Sequence, residues 1–198
     1  MRWSSVLSTQ PDPAVAAAVV TEAVRDQLEG VHADLMLVFA CGHEIAAWTV
    51  FIEHLRQQFP EAVLLGCSAG GVVGGGREVE GEVSLSVTAA SLPDVAVVGF
   101  HYDEDSSASV EEDAHWWHKH LGVEADHQPS FLLIPDPYSC DSTHLMKGLD
   151  RAFPGQVKLG GLASGANGPG ENVLILNDQI LHAGAVGVAL YGDIEVDA

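Results

Sequence analysis

Positive charge is what this chain most lacks. Lys and Arg together number 8 against 28 Asp and Glu, a formal charge of −20. Such an excess repels nucleic-acid backbones and anionic membrane surfaces, so neither is expected as a partner. Long apolar runs are also missing: none approaches the roughly 20 residues that a membrane-crossing helix needs. The opening MRWSSVLSTQP has no continuous apolar stretch of the kind a secretion signal carries, which points to a cytoplasmic protein. Cysteine is scarce. Cys41, Cys67 and Cys140 are an odd number without CxxC spacing, read as reduced thiols rather than a disulfide framework. The P-loop pattern is absent, and so is a GxGxxG opening a helix, which leaves no standard phosphate cradle. No catalytic set stands out.

What the chain does have is a repeated phrase. Phe59–Gly71 reads FPEAVLLGCSAGG and Phe153–Gly165 reads FPGQVKLGGLASG, ninety-four positions on. Phe59, Pro60, Val63, Leu65, Gly66, Ala69 and Gly71 recur as Phe153, Pro154, Val157, Leu159, Gly160, Ala163 and Gly165, seven matches in thirteen. Chance on average residue usage gives about one. Two copies of one unit are expected, residues 31–102 and 128–192, within a single domain spanning 1–198.

Around the repeat, patterning supplies the elements. Asp12-Pro13 opens a helix whose stripe is Ala17, Val20, Val24 and Leu28, with Gly30 as its stop. Asp34–Cys41 is short and apolar, a buried strand. Residues 43–59 read as a helix with Ile45, Trp48, Ile52, Leu55 and Phe59 inward, ended by Pro60. Ala62–Cys67 is a second buried strand, so the three form a parallel strand–helix–strand unit. A glycine-rich turn follows. Glu82–Ala89 alternates strictly and is expected as a half-buried strand, paired with Val95–Tyr102 through a turn at Pro93-Asp94. The unit boundary falls in Asp103–Ser109, before a helix at 109–121 capped by Ser109. Then come a strand at Ser130–Pro135, a helix at Asp141–Phe153 and a strand at Val157–Gly161. Strands at Asn172–Leu176 and His182–Tyr191 follow, turning at Asn177-Asp178. The fold class is α/β: two pseudo-symmetric β-α-β-β-β units with mixed sheets and helices on the outside. A four-layer αββα sandwich is the runner-up.

Candidate chemistry gathers at the glycine loops. Gly66-Cys67-Ser68-Ala69-Gly70 matches the nucleophile elbow after a strand, but the glycines that follow make a poor helix, and Leu162 stands in the second copy where Ser68 stands in the first. A hydrolase using Ser68 or Cys67 is thus the enzymatic alternative. In His115-Trp116-Trp117-His118-Lys119-His120, His115 and His118 share a helical face and His120 does not, which reads as a solvated face around a core Trp117 rather than a metal site. Strand ends in α/β folds collect ligands. A pocket at the copy interface would draw on Cys67, Ser68, Gly70, Gly71, Asp136, Tyr138, Ser164 and Asn167, against the plainer reading of Asp136 and Asp141 as turn and cap residues.

Four segments together, GCSAGGVVGGG after an apolar strand, EGEVSLSVTAA, GGLASG and the closing HAGAVGVALYGD, resemble the N-terminal part of the FIST sensory domain over about residues 34–192. The resemblance implies an intracellular, non-catalytic sensory domain of bacterial signal transduction that binds small ligands, amino acids among them. It implies a C-terminal FIST domain or a signalling kinase as partner. Some similar proteins are haem-based nitric oxide sensors regulating histidine kinases, so haem is the alternative ligand. His43, His144 and His182 are the histidines near strand and helix junctions, and none is marked by motif as an axial ligand.

Overall fold

A computed structural model describes residues 1–103 and 114–197. Its strands are β1 (Arg2–Ser8), β2 (Leu35–Cys41), β3 (Val63–Ser68), β4 (Gly71–Gly74), β5 (Arg77–Glu80), β6 (Ser84–Ser91), β7 (Val95–Tyr102), β8 (Ser130–Pro135), β9 (Lys158–Gly160), β10 (Leu174–Leu176), β11 (Gln179–Leu181) and β12 (Ala185–Gly192). The helices are α1 (Pro13–Gln27), α2 (Ile45–Gln58), α3 (Ala114–Leu121) and α4 (Ser142–Ala152). The expected start of α3 at Ser109, and the boundary segment before it, lie mostly outside the described residues.

Two mixed sheets organise the molecule. One has six strands in the order β1-β6-β2-β3-β10-β11, the other four in the order β7-β12-β8-β9, and β4 pairs with β5 alone. β2 runs parallel to β3, and β8 parallel to β9. β6 lies antiparallel beside β2, and β12 antiparallel beside β8. The local orders β6-β2-β3 and β12-β8-β9 are therefore alike.

Three apolar clusters show how the layers stack. Met36, Val38 and Ala40 of β2 point to one face and pack with Val20, Trp48, Phe51 and Leu55 of α1 and α2. Phe131 and Leu133 of β8 pack with Trp117, Leu145 and Leu149 of α3 and α4. The third cluster joins Leu35, Leu65, Cys67 and Leu174 of the first sheet to Ile134, Val186, Val188 and Leu190 of the second. Both sheets are thus covered on both faces, which is why their central strands are apolar runs rather than alternating ones. The result is the four-layer αββα arrangement, an α/β fold with mixed sheets and helices outside.

Helix ends follow local chemistry. Asp12 Oδ1 accepts from Ala14 N at 2.9 Å and Val15 N at 3.1 Å, and Asp141 Oδ1 accepts from Thr143 N at 2.8 Å and His144 N at 3.3 Å. Those two bonds hold the Asp141 carboxyl below its usual range.

Several expectations are corrected. β6 does not pair with β7. It pairs with β1 and β2, while the chain crosses at Pro93-Asp94 and β7 joins β12 in the other sheet. β6 is not half-buried either: Ser84 and Ser86 are buried, and the Ser86 hydroxyl donates to the Val73 carbonyl of β4 at 2.7 Å. The turn at Asn177-Asp178 joins β10 to the short β11, and β12 is a separate strand in the second sheet. Ile45, placed inward by spacing, is 54% exposed, and Phe51 takes the core position. β1 and the β4–β5 hairpin are additional strands. β1 points Ser4, Val6 and Ser8 inward, so two of its three buried side chains are polar and its apolar signal is faint.

Candidate ligand-binding site

The two glycine-marked strand ends meet. β3 and β9 each carry a glycine at the matching place, and the reason is the same contact. A Cβ on Gly66 would stand 1.8 Å from the Val38 carbonyl oxygen of β2, and one on Gly160 would stand 1.9 Å from the Leu133 carbonyl oxygen of β8. Past these glycines the chains touch. Ser164 N and Gly165 N donate to the Ser68 carbonyl at 3.3 and 3.1 Å, and Gly70 N donates to Ser164 Oγ at 3.2 Å. Gly165 has no room for a side chain, because its Cβ would lie 2.4 Å from that of Ser68.

Beside this junction runs a chain of polar groups. The Ser68 hydroxyl donates to Asn172 Oδ1 at 3.1 Å and accepts from Val173 N at 2.9 Å. Asn172 Nδ2 donates to Asp136 Oδ1 at 2.8 Å. The other Asp136 oxygen accepts from the Ser139 hydroxyl at 2.5 Å, and Ser139 Oγ accepts from Gly184 N at 2.9 Å. Asp136 and Asn172 are fully buried. Every polar atom in this chain has a partner, so it acts as an internal tie between β3, β8, β10 and β12.

That tie bears on the enzymatic alternative. Among the described residues no histidine or carboxylate contacts the Ser68 hydroxyl, and Asp136 reaches it only through an amide. The Cys67 thiol is pushed up to about 12 by burial, so it stays protonated at neutral pH. Neither group is an activated nucleophile as placed.

The nearby open space is apolar. A cavity of about 480 Å³ lies between the sheets, lined by Leu37, Phe39, Cys67, Ala69, Leu132, Ile134, Leu159 and Ser164, among others. On the other side of β9, a second of about 540 Å³ lies under α4 against Leu145, Met146, Pro135 and Ser142. Leu133 and Leu159–Leu162 line both.

Of the eight residues expected at a ligand site, Cys67 and Ser164 line the inter-sheet cavity. Ser68 and Asp136 sit in the buried tie. Gly70 joins the loop junction, its carbonyl accepting from the Cys41 thiol at 3.3 Å. Gly71 leaves into β4 opposite Glu80. Tyr138 is an exposed loop residue whose hydroxyl donates to the Ala166 carbonyl at 3.4 Å, and Asn167 N donates to Glu171 Oε2 at 3.3 Å. Sequence reasoning missed Asn172, the middle link of the tie, and the apolar lining from β2 and β8. Only the alternation of Leu132 and Ile134 with Phe131 and Leu133 hinted at the latter.

The histidines lie elsewhere. His43 Nε2 is buried without a hydrogen-bond partner, its ring is edge-on to Phe51 at 4.9 Å, and burial lowers its pKa. His182 Nδ1 is 2.9 Å from the Asn172 carbonyl, and His144 is 3.7 Å from Asp141. His118 and His120 bond to the carbonyls of Ala152 and His101. No histidine lines either cavity, so the residues there do not fit a histidine-ligated haem. Among the described residues, no group of three His, Cys, Asp or Glu side chains is placed to hold a metal ion.

The FIST N domain family model matches residues 34–198. The chain belongs to the FIST N domain family. It is 29% identical over 198 residues to the uncharacterized protein Rv0628c of Mycobacterium tuberculosis (strain ATCC 25618 / H37Rv), covering 97% of this chain and 48% of that protein. It is 31% identical, with the same coverage, to the uncharacterized protein Mb0898c of Mycobacterium bovis. The chain thus spans about half the length of the curated relatives it matches. FIST domains are generally sensory domains. No helix among the described residues is long and apolar enough to cross a membrane.

Proposed function

We propose that this domain is a non-catalytic sensor that binds a small ligand, of the size of an amino acid with an apolar side chain, in bacterial signal transduction. The observation that carries this reading is the inter-sheet cavity of about 480 Å³, beside the C-terminal ends of the parallel strands β3 and β8. Its volume falls in the usual range for small-molecule pockets, roughly 300–1,000 Å³, and so does its character, apolar with a few polar groups. Cys67 and Ser164 supply polar side chains, and the loop junction supplies backbone groups. The satisfied tie through Ser68, Asn172 and Asp136 holds the walls in place without itself offering free valences. A change of the loop junction on binding is the signal passed to a C-terminal FIST domain or a signalling kinase.

The test is thermal unfolding against a panel of amino acids. Leucine, phenylalanine or methionine at saturation should raise Tm by about several degrees, and glycine should not. Ala69→Leu, which fills part of the cavity, should abolish the shift. A panel in which nothing moves Tm, or in which Ala69→Leu binds as the parent does, sinks this reading. The absorption spectrum of the purified protein decides the haem alternative: a Soret band would favour it.

A further inference from the structure

The geometry points to the outer edge of β9 as an acceptor for a β-strand supplied by the half of the polypeptide that the relatives carry and this chain does not match. β3 and β9 hold equivalent places next to β2 and β8, and their odd-numbered residues bond inward. Val63 N and Ala69 N donate to β2-side carbonyls at 2.9 Å each, and Gly161 N and Ala163 N donate to the β8 carbonyls of Leu133 and Pro135 at 3.2 and 3.0 Å. Alternation then turns the even-numbered groups outward.

On β3 those outward groups are used. Ser68 N donates to the Val173 carbonyl and Asn177 N to the Leu64 carbonyl, both at 2.8 Å, with Ile175 of β10 opposite Gly66. Ninety-four positions on, the same groups are the Leu162 N–H, the Gly160 backbone and the Lys158 carbonyl. Among the described residues none of them has a partner strand, since β9 ends its sheet. An open edge is a template for pairing, which proteins blunt with short strands, exposed charges, prolines or bulges. β9 is short, at three residues, but its edge carries no exposed charge. The Lys158 side chain is 2% exposed, drawn under the strand to Asp150 at 2.8 Å and to the carbonyls of Phe153 and Gln156 at 3.0 Å each. Gly160 and Gly161 are exposed, and Leu162 is 54% exposed. The relatives' unmatched half, about as long as this chain, is the occupant that the coverage supports.

A strand so added would run antiparallel to β9, as β10 runs to β3, with apolar side chains at alternate positions facing the two cavities that Leu159–Leu162 line. The probe is the unmatched half of the M. tuberculosis relative, added to the 198-residue chain. A complex is expected, with amide exchange at Gly160 and Leu162 slowed at least about tenfold and β6 unchanged. Leu162→Pro, which removes an outward N–H and leaves the β8 bonds alone, should abolish the complex; Leu162→Ala should keep it. A complex without protection at β9, the same protection in the chain alone through self-association, or no complex at all overturns the proposal. The amino-acid panel on the isolated chain reads the ligand site separately, so either idea can fail without the other.

Discussion

β3 and β9 carry the same sequence phrase and hold alike places beside β2 and β8, but their surroundings differ. Both need glycine where a neighbouring carbonyl crowds the backbone. Yet β3 is central, flanked by β2 and β10, whereas β9 is an edge. After the glycine, β3 continues as Cys67-Ser68, one facing the core and the other tied to Asn172, while β9 continues as Gly161-Leu162, both exposed. The repeated residues are the ones that backbone geometry demands. The unrepeated ones record what each strand end touches.

The largest test of that contrast is Gly66→Ala against Gly160→Ala. The first has no room to relax between two paired strands and should cost about 4 kcal/mol or more. The second can shift outward at the open edge but still forces alanine into a positive φ of 154°, so it should cost less than the first by only about 1 kcal/mol. Urea unfolding midpoints measure both, and equal costs would mean that β9 is as confined as β3. Next, Asp136→Ala strips partners from buried Asn172 and from Ser139 and should cost about 2–4 kcal/mol by the same assay. Ser68→Ala removes one donor and one acceptor from the same tie and should cost about 1–2 kcal/mol. It should leave activated-ester turnover at background, and any turnover that Ser68→Ala abolishes would restore the hydrolase reading.

Cys67 has a smaller, pH-dependent effect. Burial raises its folded pKa from the ordinary thiol range to about 12, so the folded state keeps its proton where the unfolded state has lost it. Stability from this group is full below about pH 9 and is lost as pH rises from there toward 12. Cys67→Ala should flatten the alkaline limb of the stability–pH profile, measured by denaturant midpoints between pH 8 and pH 11. The smallest effect is at Asp141, exposed at the start of α4, whose carboxyl is held low by the two backbone N–H groups it caps. Its contribution is present at neutral pH and lost as pH falls through that lowered value, so Asp141→Asn should blunt the acid limb slightly.

Much of the fold was legible along the chain. Asp12 and Asp141 marked helix starts because capping is local. β2, β3 and β8 announced themselves because strands buried on both faces are apolar throughout. β1 escaped notice because serines face inward there, and β4–β5 because its glycines read as a loop. The site was half legible. The strand-end rule picked out Cys67 and Ser164, which line the inter-sheet cavity, but Asn172 sits 104 residues from Ser68 and 36 from Asp136, and nothing local pairs them.

Composition, helix caps, the parallel strand–helix–strand units and the matched positions of Gly66 and Gly160 came from the sequence alone, since each depends on neighbours a few residues away or on a repeat visible in the letters. Tertiary structure alone decided that β7 leaves β6 for the other sheet, that β10 crosses over to pair with β3, and that a cavity opens between the sheets. Antiparallel partners are chosen by which apolar faces must close against each other, and that choice is made across the whole chain.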